Sequence, residues 1–193
     1  FRYLRGTEEG EEQQRNIASV FKGDDGKIWM GSNAGLYVYD PIEGRGKPYV
    51  NGDKPENLKG NNYVVFIQKD QAGDVWLGLK YGGLNRARQV GSDLHFEAWP
   101  KVGENGVSLG DNLMQMTEDH QGRLWITTFS EGLFMLDRQR RNYTHFRHES
   151  TNSNSLSTNN LTAIYCDPKD GSMWVSTRDG GLNHLWENSA GQW

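Results

Sequence analysis

The sequence has 193 residues, which is long enough for one domain with a sizeable hydrophobic core. Hydrophobic residues make up 35% and charged residues 24%, proportions typical of a folded domain rather than of a disordered chain. The net charge of −4 and the scattered lysines and arginines argue against a nucleic-acid partner, and a single cysteine, Cys166, excludes an intramolecular disulfide. Apolar stretches are much shorter than a membrane span, so we expect no membrane contact by this segment.

Four tryptophans mark an internal repeat of about 48 residues. Each has a glycine three residues before it, an asparagine further upstream and a Gly-Leu pair within the next eight residues. The tryptophans are Trp29, Trp76, Trp125 and Trp174. In chain order the repeats cover residues 16–61, 62–111, 112–159 and 160–193, and we interpret 1–193 as a single repeat region within a longer protein.

Each repeat is predicted to form four short antiparallel strands, named A to D. In the fourth repeat, Leu161–Cys166 is predicted as strand A, Met173–Thr177 as strand B and Gly181–Leu185 as strand C. Strand D is predicted at His95–Trp99 and Tyr143–Phe146 in the two preceding repeats. Asp/Gly turns supply the positive φ angles that tight strand connections need. This pattern predicts an all-β chain whose fold is a β-propeller with four-stranded blades.

The two ends of the chain leave the closure of the propeller open. Phe1–Leu4 resembles a strand D, and the last repeat has no obvious strand D of its own. Residues 1–5 therefore complete the last blade of a closed four-bladed ring, or they are the remainder of a preceding blade in an arc of a larger propeller. In either arrangement we expect the four repeated tryptophans to be buried between neighbouring sheets.

The fourth repeat resembles the two-component regulator propeller repeat. The similarity lies in residues 159–167 (NNLTAIYCD), 171–177 (GSMWVST) and 180–183 (GGLN), and in the linker at 154–159 (NSLSTN). All four repeats share this pattern, so the resemblance covers nearly the whole chain. It implies the periplasmic sensing region of a bacterial hybrid sensor kinase, or of a diguanylate cyclase, whose membrane helix and output domain lie outside these 193 residues. It also implies a carbohydrate-type signal and a parent protein that is a homodimer in the inner membrane.

The loops between strands B and C carry the candidate ligand-binding residues. The A–B turns are uniform, whereas the B–C loops differ between repeats, and variable loops on a regular scaffold commonly determine binding specificity. Aromatic rings stack on sugar rings, and arginine or lysine pairs with a uronate carboxylate. The candidates are Lys80, Tyr81, Phe129, Glu131, Arg178 and Asp179. A small-molecule or oligosaccharide ligand is the expected partner.

Catalysis is not expected from this sequence. No nucleophile–base set or pair of carboxylates recurs at a plausible spacing, and the five histidines and the turn at Asp24 lack the pattern of a metal site. We therefore predict no catalytic residue, no metal and no cofactor. Two alternatives stay open: a structural or protein-docking propeller, and a propeller enzyme of the sialidase or streptogramin-lyase type.

Overall fold

The structure, a computed structural model, describes residues 16–193 and contains only strands, turns and loops in this part of the chain. In residues 16–193, fifteen strands form four antiparallel sheets. The first sheet contains β1 (Ile17–Lys22), β2 (Ile28–Ser32), β3 (Gly35–Asp40) and β4 (Arg45–Tyr49). The second contains β5 (Val64–Lys69), β6 (Val75–Leu79), β7 (Gly83–Val90) and β8 (Asp93–Ala98). The third contains β9 (Leu113–Glu118), β10 (Leu124–Thr128), β11 (Leu133–Leu136) and β12 (Tyr143–Phe146), and the fourth β13 (Leu161–Cys166), β14 (Met173–Thr177) and β15 (Leu182–Leu185).

Within each sheet the strands follow one another in chain order. The A–B turns allow this because each places a glycine at positive φ, where a residue with a Cβ is strained. These glycines are Gly26, Gly73, Gly122 and Gly171. The first strands of consecutive sheets contact one another, β1 with β5, β5 with β9 and β9 with β13. Sheets stacked face to face with strand A innermost are the blades of a β-propeller.

Among the described residues, three hydrophobic cores lie between consecutive sheets. In the first, Trp29 of β2 packs with Ile67 and Leu77 of the second sheet. The next core places Trp76 with residues of the third sheet, and the last places Trp125 with residues of the fourth. Each of these tryptophans is therefore covered by the sheet that follows it.

The structure confirms the all-β propeller and corrects one expectation about its tryptophans. Trp29, Trp76 and Trp125 are buried as predicted, but Trp174 is 36% exposed because no later sheet among the described residues covers it. The fourth sheet has three strands within the described residues. The predicted pairing of Phe1–Leu4 with strand C of this sheet lies outside the described residues.

Candidate functional site

The B–C loops begin at equivalent points of the second, third and fourth sheets. In each, the first loop residue donates its backbone N–H to a carbonyl just before strand A: Lys80 to Tyr63, Phe129 to Asn112 and Arg178 to Asn160, at 2.9–3.0 Å. The B–C loops and the connections leading into strand A therefore share one face of the propeller, which we call the B–C face.

Phe129 and Arg178 form a pair that joins the third and fourth sheets at the B–C face. The Arg178 Cζ atom lies 5.3 Å from the centre of the Phe129 ring, within the range of a cation–π contact. Arg178 is exposed and Phe129 half-buried, so the guanidinium keeps donors available to an incoming group. This pair offers an apolar surface and a positive charge within one small area.

Lys80 lies between two tyrosine rings of the second sheet. Its Nζ atom is 5.0 Å from the centre of the Tyr63 ring and 5.5 Å from that of Tyr81. Tyr81 is exposed, so one face of this group is open to a ligand. The sequence analysis missed Tyr63, although its place one residue before strand A in the second repeat assigns it to the same face.

The two acidic candidates hold the loops in place. A Glu131 oxygen accepts the backbone N–H of Asp111 at 2.8 Å, which ties the third B–C loop to the connection leading into β9. The Asp179 carboxylate accepts a hydrogen bond from the Asn160 amide at 2.8 Å. Of the six predicted residues, Lys80 thus contacts Tyr81 and Phe129 contacts Arg178. Glu131 and Asp179 instead accept hydrogen bonds from neighbouring residues of the protein.

A pocket of about 410 Å³ lies at the opposite end of the propeller, beside the A–B turns of the third and fourth sheets. Its lining includes His120, Gln121, Asp170, Ser172, Trp186 and Trp193. Hydrogen bonding to the backbone N–H of Ser172 lowers the pKa of the Asp170 carboxyl. The Ser172 hydroxyl lies near that carboxylate outside hydrogen-bond geometry, and it and Trp193 Nε1 are buried without a hydrogen-bond partner in the described structure. This pocket contains none of the predicted ligand-binding residues.

Two buried aspartates accept hydrogen bonds from the repeated tryptophans. Asp70 and Asp119 each accept the indole N–H of the tryptophan six residues later, Trp76 at 2.9 Å and Trp125 at 2.8 Å. Burial raises the pKa of the Cys166 thiol, which favours the neutral form over the nucleophilic thiolate. Within residues 16–193, no three His, Cys, Asp or Glu side chains are placed to hold a metal ion, and no helix is long and apolar enough to cross a membrane.

Comparison with known proteins identifies a fold. No family model matches the chain, and no curated protein does. Among solved structures, the extracellular domain of BT4673 from Bacteroides thetaiotaomicron, described as a hybrid two component system, matches with a TM-score of 0.67 and 21% identity over 90% of this chain. The corresponding domain of BT3049 from the same organism, also described as a hybrid two component system, matches with a TM-score of 0.70 and 20% identity over 88%.

PorZ of Porphyromonas gingivalis, a surface component of the type-IX secretion system, has the same fold with a TM-score of 0.63 and 20% identity over 88% of this chain. The chain spans 22%, 23% and 25% of these three proteins, respectively. At such identities the likeness establishes a shared propeller fold, and the chain corresponds to about a quarter of each larger structure.

Proposed function

We propose that this chain is a non-catalytic part of an extracytoplasmic sensor propeller, and that its B–C face binds a carbohydrate-type ligand. The fold it shares with the extracellular domains of two hybrid two component systems supports the sensing role and the location outside the cytoplasm. In this proposal the chain lies in the periplasm, and ligand binding is coupled through the parent protein to a cytoplasmic kinase.

The contact between Arg178 and Phe129 is the observation that carries the proposal. It brings together two side chains 49 positions apart in the sequence, on neighbouring sheets, with the guanidinium over the ring. An aromatic ring presents a flat apolar surface to the C–H face of a sugar, while an arginine pairs with a carboxylate in two parallel hydrogen bonds. Lys80 with Tyr81 repeats this combination on the second sheet. An acidic oligosaccharide, such as one that contains a uronate, fits both pairs best.

Calorimetric titration of the chain with matched neutral and uronate-containing oligosaccharides tests this proposal. We expect micromolar to millimolar affinity, with the uronate form bound more tightly. Tyr81→Ala and Arg178→Ala are each expected to weaken binding by about fivefold to tenfold, because each removes one contact worth on the order of 1 kcal/mol. Arg178→Ala is also expected to remove the preference for the uronate form.

Trp186→Ala provides a matched control, because Trp186 is an exposed aromatic at the opposite end of the propeller. It is expected to leave binding unchanged. If Trp186→Ala weakens binding while Tyr81→Ala and Arg178→Ala do not, the ligand occupies the pocket beside the A–B turns and the B–C face is the wrong site. If no oligosaccharide binds, the proposal fails and the protein-docking alternative gains support.

The absence of catalysis is tested by incubating the same oligosaccharides with the chain and analysing them by mass spectrometry. We expect every oligosaccharide to be recovered intact, because the buried carboxylates Asp70 and Asp119 are held by tryptophan N–H groups and arginines. Cleavage that is lost on mutation of a single acidic residue would overturn this part of the proposal.

A further inference from the structure

The pocket beside the A–B turns of the third and fourth sheets contains a carboxylate that is not paired with a cation. Besides two histidines, the titratable side chains of its lining are Asp119, Asp170, Glu187 and Arg123. Arg123 donates to Asp119 through Nε and to Glu187 through both terminal nitrogens. Asp170 is exposed and forms no salt bridge with any part of the chain that the structure describes. The pocket therefore offers a negative charge to a cationic ligand.

A buried hydroxyl in the same pocket has no hydrogen-bond partner. Ser172 is only 4% exposed, and its Oγ atom makes no hydrogen bond within the described structure. The backbone N–H of Ser172 donates to Asp170 at 2.9 Å, which holds the two residues side by side in the A–B turn of the fourth sheet. A buried polar atom without a partner lowers stability unless a bound group satisfies it. Ser172 Oγ can accept a hydrogen bond from a ligand whose charge is balanced by Asp170.

The equivalent place between the second and third sheets is filled by a guanidinium group of the protein itself. Arg140 lies in the turn that follows strand C of the third sheet, and its side chain donates to Asp70 and to the carbonyl of Gly122. Its Cζ atom lies 6.0 Å from the centre of the Trp76 ring. Carboxylate, carbonyl and indole groups beside consecutive A–B turns therefore hold a guanidinium at this junction.

Gly191 has the position of Arg140 in the fourth sheet, and it has no side chain to fill the pocket. Both residues have a positive φ, 60° for Arg140 and 76° for Gly191. Each donates its backbone N–H to the residue three positions earlier, Asp137 or Asn188. The nearest described atom to a Cβ added at Gly191 would be an oxygen of Glu187 in the pocket lining, at 3.8 Å. The place that a guanidinium fills at one junction is therefore open at the next.

We propose that this pocket binds the guanidinium group of a small molecule such as free arginine, with Asp170 and Ser172 as the acceptors. A guanidinium has a permanent charge and five N–H donors in one plane, so it can donate to a carboxylate and to a neighbouring hydroxyl at once. The volume of about 410 Å³ lies at the small end of the range for ligand pockets. Because the pocket and the B–C face are at opposite ends of the propeller, this site is independent of the proposed carbohydrate site.

Filling the pocket from within the chain is one test of the proposal. Gly191→Arg places an arginine at the position equivalent to Arg140, and it should weaken the binding of free arginine by more than about tenfold. Gly191→Ala is the matched control, because it introduces the same strain at positive φ while leaving the pocket open. It should bind arginine as the wild type does. Circular dichroism that matches the wild type shows that each variant is folded.

Substitution of the two acceptors tests their roles separately. Asp170→Asn removes the charge but keeps an oxygen for the Ser172 N–H, and it should weaken arginine binding by about fivefold. Ser172→Ala should also weaken arginine binding. It should do so without lowering the free energy of unfolding, because the hydroxyl has no hydrogen bond in the described protein to lose.

Calorimetric titration with arginine and citrulline measures these effects and decides the proposal. Citrulline has nearly the same shape as arginine but carries a neutral urea group, so arginine should bind at least about fivefold more tightly. Tyr81→Ala and Arg178→Ala on the B–C face should leave arginine binding unchanged, whatever their effect on oligosaccharides. Equal binding of arginine and citrulline, undiminished arginine binding by Asp170→Asn, or no arginine binding by the wild type each overturns the proposal. Loss of arginine binding in the B–C face variants would also contradict it.

Discussion

The junction between the first and second sheets differs from the junction between the second and third in how its tryptophan is held. Trp76 donates its indole N–H to Asp70 at 2.9 Å, and Arg140 from beyond the third strand of the next sheet reaches the same oxygen at 3.2 Å. At the first junction Gly23 occupies the position of Asp70, and among the described residues Trp29 packs edge-on against Phe21 and has no hydrogen bond to a carboxylate. Within residues 16–193, Trp29 is therefore held by packing, and Trp76 by packing and a buried charge network.

The third junction follows the pattern of the second with different partners. Asp119 accepts the N–H of Trp125, and Arg123 connects this carboxylate to Glu187 beyond the fourth sheet. The repeated tryptophan therefore occupies the same place at each of these junctions. At the second and third junctions, a neighbouring carboxylate adds polar contacts that extend to another sheet. Removing such a carboxylate leaves buried donors without an acceptor and without access to water. The second and third junctions are therefore expected to be more sensitive than the first to substitution of their polar residues.

Replacing the buried tryptophan of the second junction is expected to have the largest effect. Trp76→Ala should lower the free energy of unfolding by about 3–5 kcal/mol, because it leaves a cavity between two sheets. Trp29→Ala should cost less, since that side chain is less completely buried and has no hydrogen bond to a carboxylate within the described part of the chain. Urea denaturation followed by circular dichroism measures both values. Equal losses would show that the carboxylate network does not add to stability.

Removing the carboxylate while keeping the tryptophan is expected to cost about 2–4 kcal/mol. Asp70→Ala leaves the buried Trp76 N–H without its acceptor and removes one of the carboxylate partners of Arg140, which keeps Glu118. It also removes a bond to the backbone of Asp74. Asp25→Ala serves as the control, because Asp25 is an exposed turn residue of the first sheet that hydrogen-bonds the backbone of Lys27. Its loss should lie within about 0.5 kcal/mol. Similar losses for the two variants would contradict the comparison.

A buried tyrosine of the third sheet is expected to make the folding stability fall at alkaline pH. Burial raises the pKa of the Tyr143 phenol, whose hydroxyl donates to the carbonyl of Pro100 at 2.9 Å. The folded state disfavours the phenolate. The contribution of the neutral Tyr143 to folding stability is therefore complete below about pH 10, the pKa of tyrosine in the unfolded chain, and it is lost as the pH rises above that value. Tyr143→Phe should cost about 1 kcal/mol at neutral pH and should reduce the loss of stability above pH 10. An unchanged alkaline profile would be evidence against the burial of this hydroxyl.

Replacing the exposed tryptophan of the fourth sheet is expected to have the smallest effect on folding stability. Trp174→Ala should change the free energy of unfolding by no more than about 1 kcal/mol, because the side chain is 36% exposed and its ring stacks on His184 of the same sheet. A loss as large as that of Trp76→Ala would mean that another part of the chain covers this face.

Much of the fold was predictable because the repeat places the same residue types at the same structural positions four times. Leu161–Cys166, Met173–Thr177 and Tyr143–Phe146 are strands with the predicted bounds, since glycine and aspartate turns delimit short runs of apolar and β-branched residues. The exposure of Trp174 was not predicted, because it depends on whether a later sheet is present and not on the residues around it.

The contacts of the candidate site were less predictable. The pairing of Arg178 with Phe129 requires the distance between two loop tips, which strand patterns do not determine. The link from Arg140 to Asp70 joins positions 70 residues apart through the orientation of one long side chain. An aspartate six residues before the tryptophan does recur in the second and third repeats, so that part of the network was visible in the sequence.

A double-mutant cycle between Asp70 and Arg140 tests the stacking of the sheets in chain order most directly. The two residues meet only if the second and third sheets lie face to face, so we expect a coupling energy above about 1 kcal/mol from the unfolding of Asp70→Ala, Arg140→Ala and the double variant. Arg141 is the control, because it is adjacent in sequence but exposed near Glu104, and its cycle with Asp70 should give a coupling close to zero. A coupling between Asp70 and Arg140 no larger than that of the control would contradict the stacked arrangement.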